Sequence, residues 1–259
     1  MLLAARKHPV LARLYAGYGR RLLRGAFARV WLGGAGWPDD DAPVIAYANH
    51  SAWWDPVLAV YLSHDVFRRD GYGLMDGTQL LRYPFFRQLG CFGVVDDGRA
   101  GGDLAIEDAR AVGEYATAVL RGGRRRVLWL FPQGALLPAR LPLRFRSGLA
   151  RISRGVPEAR LVPVAMRFEF RGRSHPECFV RVGEAASPAA LPAAAAGASA
   201  VLTRRLERVL ADELAALDAD LLVDGDPAAL GYRPVLAQTE VVSRVYERTL
   251  GQLLRKAGP

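Results

Sequence analysis

An imidazole and a carboxylate stand close together in the run Asn49-His50-Ser51-Ala52-Trp53-Trp54-Asp55-Pro56, with four residues between His50 and Asp55. A carboxylate that accepts from one ring nitrogen fixes the histidine tautomer and leaves the other nitrogen free to take a proton. That chemistry needs a chain that bends sharply between the two residues. Residues 44–48, Val-Ile-Ala-Tyr-Ala, read as a buried strand, and Asp55-Pro56 reads as a helix start, an N-cap carboxylate followed by proline at the first helical position. A strand ending in His and turning to an Asp at a helix entrance brings the two side chains together. Read alone, the pair is also compatible with a structural hydrogen bond in which Asp55 only caps the helix.

The elements that must position this pair follow from periodicity. Apolar runs at residues 72–75, 92–95, 127–131, 161–170 and 178–182 read as strands. Residues 56–62, 78–89 (despite Pro84), 104–121 and 148–154 read as the helices between them. Such alternation predicts an α/β fold with a mostly parallel central sheet covered by helices. The continuous apolar strand Val127-Leu128-Trp129-Leu130-Phe131 suits a sheet covered on both faces. Ligands of open sheets sit beyond the carboxyl ends of the strands, where both His50 and the segment after Phe131 fall. The two are expected to share one site.

Composition narrows the partners. The 259 residues carry a formal net charge of +9, which points to an acidic partner such as a membrane surface, nucleic acid or a phosphorylated substrate. The seven Lys/Arg before Asp39 meet no acidic residue, and they are interleaved with Leu11, Leu14, Tyr15, Tyr18 and Leu22 at helical spacing. Basic amphipathic N-terminal helices of this kind suit an anionic membrane surface or pack as a surface element on the domain itself. No recognised nucleic-acid motif accompanies the charge, so nucleic acid is not an expected partner. No apolar run is long enough to span a bilayer. Two cysteines, Cys91 and Cys178, make neither a disulfide framework nor metal-ligand spacing, so no metal site is expected and a reducing cytoplasmic setting fits. The expected organisation is a basic amphipathic helical segment over 1–38, an α/β core over 39–186, an Ala/Pro-rich linker over 187–200 and C-terminal helices over 201–259.

Four blocks occur in order: Asn49-His50 with Asp55; Leu89-Gly90-Cys91-Phe92-Gly93-Val94-Val95; Phe131-Pro132-Gln133-Gly134; and Leu161-Val162-Pro163-Val164-Ala165. Together they resemble the glycerolipid and lysophospholipid acyltransferase family, whose blocks are Asn-His-x-x-x-x-Asp, Gly-x-x-Phe-x-x-Arg, Phe-Pro-Glu-Gly-Thr-Arg and a Val-Pro-Val-like strand. The segment Arg144-Phe145-Arg146-Ser147-Gly148 also resembles the basic stretch between the last two blocks. The resemblance covers about residues 40–170.

It implies acyl transfer from acyl-CoA or acyl carrier protein, as co-substrate, to a hydroxyl of a lipid acceptor, with no resident cofactor. His50 would be the general base and Asp55 its orienting carboxylate. Asn49, Phe131, Pro132, Gln133 and Gly134 would contribute to substrate binding.

Three departures from the family pattern matter. Gln133 stands where the third block has Glu, Ala135-Leu136 replace Thr-Arg, and Asp96 falls where the second block carries Arg. Leu cannot replace a forked guanidinium on a phosphate. Phosphate recognition is then lost or moved to Arg99, Arg140, Arg144 or Arg146. Two acceptors stay open, a lysophospholipid or related glycerolipid and a neutral glycosylated lipid or carotenoid. A non-catalytic lipid-binding relative is the third reading. The expected location is peripheral, on the cytoplasmic face of a membrane.

Overall fold

The computed structural model describes residues 1–95, 106–190 and 198–238. In chain order these form β1 (Leu2–Leu3), α1 (Pro9–Ala26), β2 (Arg29–Gly34), β3 (Val44–Ala48), α2 (Asp55–Tyr61), β4 (Asp70–Leu74), α3 (Gly77–Arg82), α4 (Phe85–Gln88), β5 (Cys91–Val94), α5 (Ile106–Arg121), β6 (Arg126–Leu130), α6 (Gly148–Gly155), β7 (Arg160–Glu169), β8 (Glu177–Val182), α7 (Ala198–Leu222) and β9 (Arg233–Ala237). The strands make one sheet in the order β1-β5-β4-β6-β3-β7-β8-β2-β9. Its centre, β5-β4-β6-β3-β7, is parallel throughout. β8 runs antiparallel to β7, β2 runs parallel to β8, and β9 and β1 close the two edges antiparallel.

Alternation along the central strands builds two cores. Val44, Ala46 and Ala48 of β3 pack with Val127, Trp129, Val162 and Val164 under α1 and α2. Ile45 and Tyr47 face the other way and pack with Leu128, Leu130 and Leu161 under α5, α6 and α7. All five residues of β3 are buried, as a strand covered on both faces requires. A buried guanidinium secures its approach: Arg69 donates to the carbonyls of Pro38, Asp40 and Ala42. These bonds tie down the loop that enters β3.

The mostly parallel sheet between helical layers is as expected. In the N-terminal segment the structure has one helix, α1, and residues 29–34 form strand β2, not helix. Val30, Trp31 and Leu32 are buried between β8 and β9, so pairing with strands some 150 and 200 residues away overrides a locally helical pattern. The expected helix over 78–89 is two, α3 and α4. Tyr83 leaves the helical region, and Pro84 has no N–H to continue the ladder. α1 also turns a different face inward: Ala16, Gly19 and Leu23 are buried, whereas Leu14 and Tyr18 are 65% and 55% exposed. The linker residues 191–197 and residues 239–259 of the expected C-terminal helical segment lie outside the described residues, as do Asp96 and Arg99. No helix among the described residues is long and apolar enough to cross a membrane.

Candidate active site

β3 and β6 are neighbours, and the chain leaves their carboxyl ends in opposite directions. After β3 it passes to α2 on one face, and after β6 it passes to α6 on the other. A crevice opens where two such connections diverge, at the carboxyl edge of the sheet. His50 comes two residues after β3 and Phe131–Gly134 directly after β6, so both blocks meet there.

The turn after β3 is organised by one carboxylate oxygen. Asp55 Oδ2 accepts from the backbone N–H of Ser51 at 2.7 Å and of Ala52 at 2.9 Å, and it lies 2.8 Å from His50 Nδ1. Two amide donors and a ring N–H converge on a side chain with no exposure, while the imidazole keeps 20% of its surface exposed. With Nδ1–H directed at Asp55, Nε2 is the nitrogen left free as a proton acceptor. The expected N-cap role is not what the carboxylate performs. Trp54 occupies the cap without a side-chain bond, and Asp55 reaches back into the preceding turn. The other oxygen, Oδ1, is buried without a partner among the described residues.

Asn49 lies beneath His50, 3% exposed. Its Oδ1 accepts from Met166 N–H at 2.8 Å and its Nδ2 donates to Met166 carbonyl at 3.1 Å. β7 runs on past the end of β3, and the Asn49 amide takes the place of one more strand residue against it. The side chain therefore holds the turn onto the sheet. Replacing Asn49 with Leu orphans the Met166 N–H, at about 1–3 kcal/mol, and takes from the Met166 carbonyl one of its two donors, leaving Arg167 Nη1 at 3.4 Å. Urea denaturation is expected to show a loss of about 1–4 kcal/mol for Asn49→Leu.

The third block closes the site from the β6 side. Phe131 stacks on the imidazole with ring centroids 4.6 Å apart and planes 28° from parallel. Gln133 Oε1 accepts from His50 backbone N–H at 2.9 Å, and Leu137 N–H donates to His50 carbonyl at 3.0 Å. His50 is thus held through its ring, its amide and its carbonyl. Gly134 closes the turn by donating to Phe131 carbonyl at 2.9 Å, with φ of +70°. Any side chain there would be strained, and its Cβ would fall 2.8 Å from Arg146 Nε. Pro132 is buried, and its carbonyl accepts from Arg146 N–H at 2.8 Å.

The Arg146 side chain thus lies against the turn after β6. Arg144 and Arg146 are both exposed and meet no carboxylate among the described residues. The whole stretch 131–157 carries five arginines and no acid.

The second block is structural. Gly93 of β5 passes so close to the Met75 carbonyl that an added Cβ would overlap it at 1.8 Å. The fourth block supplies β7, whose Met166 anchors Asn49. Burial disfavours the thiolate form of both cysteines. Burial pushes the Cys91 thiol up to about 12, against a smaller opposing effect of Lys7. It also raises the Cys178 thiol well above its ordinary value, helped by the negative charge of Asp55. Sequence reasoning missed the Gln133–His50 and Asn49–Met166 bonds. Their spacing of 83 and 117 residues leaves no local signal.

A family model described as Acyltransferase matches residues 38–167, half of the chain. A search of the curated proteins finds no match. Among solved structures, that of the 1-acyl-sn-glycerophosphate (LPA) acyltransferase PlsC from Thermotoga maritima is similar in fold, with a TM-score of 0.56 and 18% identity over 80% of each chain. The matched residues run from the loop entering β3 into β7 and contain both the His50–Asp55 turn and the turn after β6. This chain belongs to the acyltransferase family and is an acyltransferase enzyme.

Proposed function

We propose that the protein moves a long-chain acyl group from an acyl thioester to a hydroxyl of a lysophospholipid or related glycerolipid, with His50 as general base. The observation that carries this reading is the 2.8 Å contact between His50 Nδ1 and Asp55 Oδ2 at the carboxyl edge of the sheet. His50 Nε2 takes the proton of the acceptor hydroxyl as its oxygen attacks the thioester carbonyl carbon. The tetrahedral adduct expels the thiolate, which recovers that proton from the imidazolium. General-base assistance of this kind contributes about 10²–10⁴-fold. The thioester is delivered by CoA or acyl carrier protein as co-substrate, and no resident cofactor enters this route.

Arg144 and Arg146, exposed and without a carboxylate among the described residues, favour a phosphorylated acceptor over a neutral one. Arg146 is the stronger candidate, because its stem packs on Gly134 beside Gln133. A charged hydrogen bond is worth about 1.5–3 kcal/mol, so Arg146→Ala should raise KM for a lysophosphatidate acceptor by about 10- to 100-fold, with kcat changed far less. Steady-state kinetics measures this.

We place the protein peripherally, on the cytoplasmic face of a membrane. Val10, Leu14 and Tyr18 of α1 are exposed together with Leu81, Tyr83 and Phe85, and Tyr15 bridges the two groups by an edge contact with Phe85. Arg13, Arg20, Arg21 and Arg24 share the helix. Apolar and aromatic side chains beside arginines suit the interface of an anionic bilayer.

Thiol release from long-chain acyl-CoA, with product lipid identified, tests the reading across lysophosphatidate, other lysophospholipids and a neutral glycolipid. Ester formed only on the glycolipid would move the acceptor to the neutral class, which Leu136 in place of an arginine favours. Turnover with none of them would reject the reading.

A further inference from the structure

The orientation of the Gln133 amide is set by its partner. A backbone N–H can only donate, so the atom of Gln133 that lies 2.9 Å from His50 N is the oxygen. The amide nitrogen must then point away from that bond. Nε2 has no acceptor among the described residues, and it is not one of the buried polar atoms lacking a partner. Gln133 is 8% exposed, so the small open part of an otherwise enclosed side chain includes this NH₂ group. It is carried by a residue bonded to the main chain of the histidine that deprotonates the acceptor.

We infer that Gln133 Nε2 donates a hydrogen bond to the carbonyl oxygen of the acyl thioester and stabilises the negative charge this oxygen gains in the tetrahedral adduct. The inference rests on the acyl-transfer reading above and adds an atom to it. When the acceptor oxygen sits on His50 Nε2 and bonds to the carbonyl carbon, the carbonyl oxygen becomes an alkoxide one bond away from the reacting centre. A preorganised donor there is worth much more in the transition state than in the ground state.

The sign of the group decides the matter. The family pattern has Glu at this position, and a glutamate could accept from His50 N–H equally well, but its second oxygen would face the same place as another acceptor. A carboxylate oxygen repels an alkoxide, whereas an amide NH₂ binds it. The exchange of Glu for Gln in this chain therefore reverses the hydrogen-bonding polarity at one atom and leaves the bond that holds His50 intact. Gln133 becomes a catalytic residue in its own right, beyond positioning His50.

Gln133→Glu is the discriminating variant, because it keeps the acceptor for His50 N–H and exchanges the donor for a charged acceptor, while Gln133→Met removes the donor without adding charge. With a long-chain acyl thioester and whichever acceptor the wild-type protein uses, kcat is expected to fall about 100-fold or more, with KM for both substrates within about threefold of wild type. Unchanged or increased kcat in a folded Gln133→Glu protein would overturn the inference.

A second measurement does not depend on turnover. The infrared carbonyl stretch of a bound ¹³C-labelled acyl thioester, read without acceptor, should shift to lower frequency than in solution, and Gln133→Glu or Gln133→Met should abolish the shift. A bound thioester whose stretch is the same in wild type and both variants would overturn the inference even where a variant is destabilised. Should the wild-type protein turn over no thioester with any acceptor, the proposed function fails, and the infrared shift still decides the Gln133 contact separately.

Discussion

His50→Ala is expected to fold with wild-type cooperativity and to lose about 10²–10⁴ in kcat, with little change in KM for the thioester. The ring is 20% exposed, and its only polar partner among the described residues is Asp55. The main-chain bonds of residue 50, to Gln133 Oε1 and from Leu137 N–H, do not depend on the side chain. The turn therefore survives, and only the stack on Phe131 and the Asp55 contact are lost. Thermal unfolding followed by single-turnover thiol release separates these consequences. A His50→Ala protein that still transfers acyl groups at the wild-type rate would remove the base from the mechanism and leave the pair as a structural bond.

Asp55 distinguishes charge from shape. Its Oδ2 accepts three hydrogen bonds in a buried site, so a substitution acts both on the imidazole and on the turn. Asp55→Asn can keep the amide oxygen where Oδ2 lies and satisfy Ser51, Ala52 and Nδ1–H, but it brings no negative charge. The imidazolium formed during attack then loses its counter-charge, and kcat should fall by about 10²-fold or more in a protein that remains folded. Asp55→Leu removes the acceptor altogether. It takes the acceptor from two part-buried backbone donors and from the partly exposed ring N–H, which costs up to about 1–3 kcal/mol each. Denaturation should show that loss for Leu and much less for Asn, while both variants are nearly inactive. Equal stability of the two would mean that the carboxylate does not organise the turn. Full activity in Asp55→Asn would mean that its charge does not matter to catalysis.

Much of the machinery was legible in the chain because it is local. The run from β3 through His50 to Asp55 is twelve consecutive residues, and its buried strand, sharp turn and helix start are each specified by neighbours in sequence. The strongly periodic helices α5 and α7 and the apolar strands β6 and β7 were legible for the same reason. What misled were positions where distant partners outweigh local pattern. β2 sits in a stretch of arginines and apolar residues with no local strand signal, and it becomes a strand because β8 offers it a parallel partner and β9 an antiparallel one. Leu14 and Tyr18 follow helical spacing with Leu11 and Leu22, yet the docked face of α1 is the one bearing Ala16, Gly19 and Leu23, whose small residues let it approach α2.

By itself the sequence determined which chemical groups are present and in what order: an imidazole, a carboxylate five residues on, a third block with an amide where an acid is usual, and arginines without nearby acids. Only the tertiary structure decided what each does. It directs Asp55 backward to the turn instead of forward to its helix, engages the Asn49 amide on Met166, and hangs His50 from Gln133. The physical reason is that a buried polar group must find a partner wherever the folded chain brings one. Here the partners lie on β7 and after β6, brought beside β3 by a sheet whose strand order is not the order of the chain.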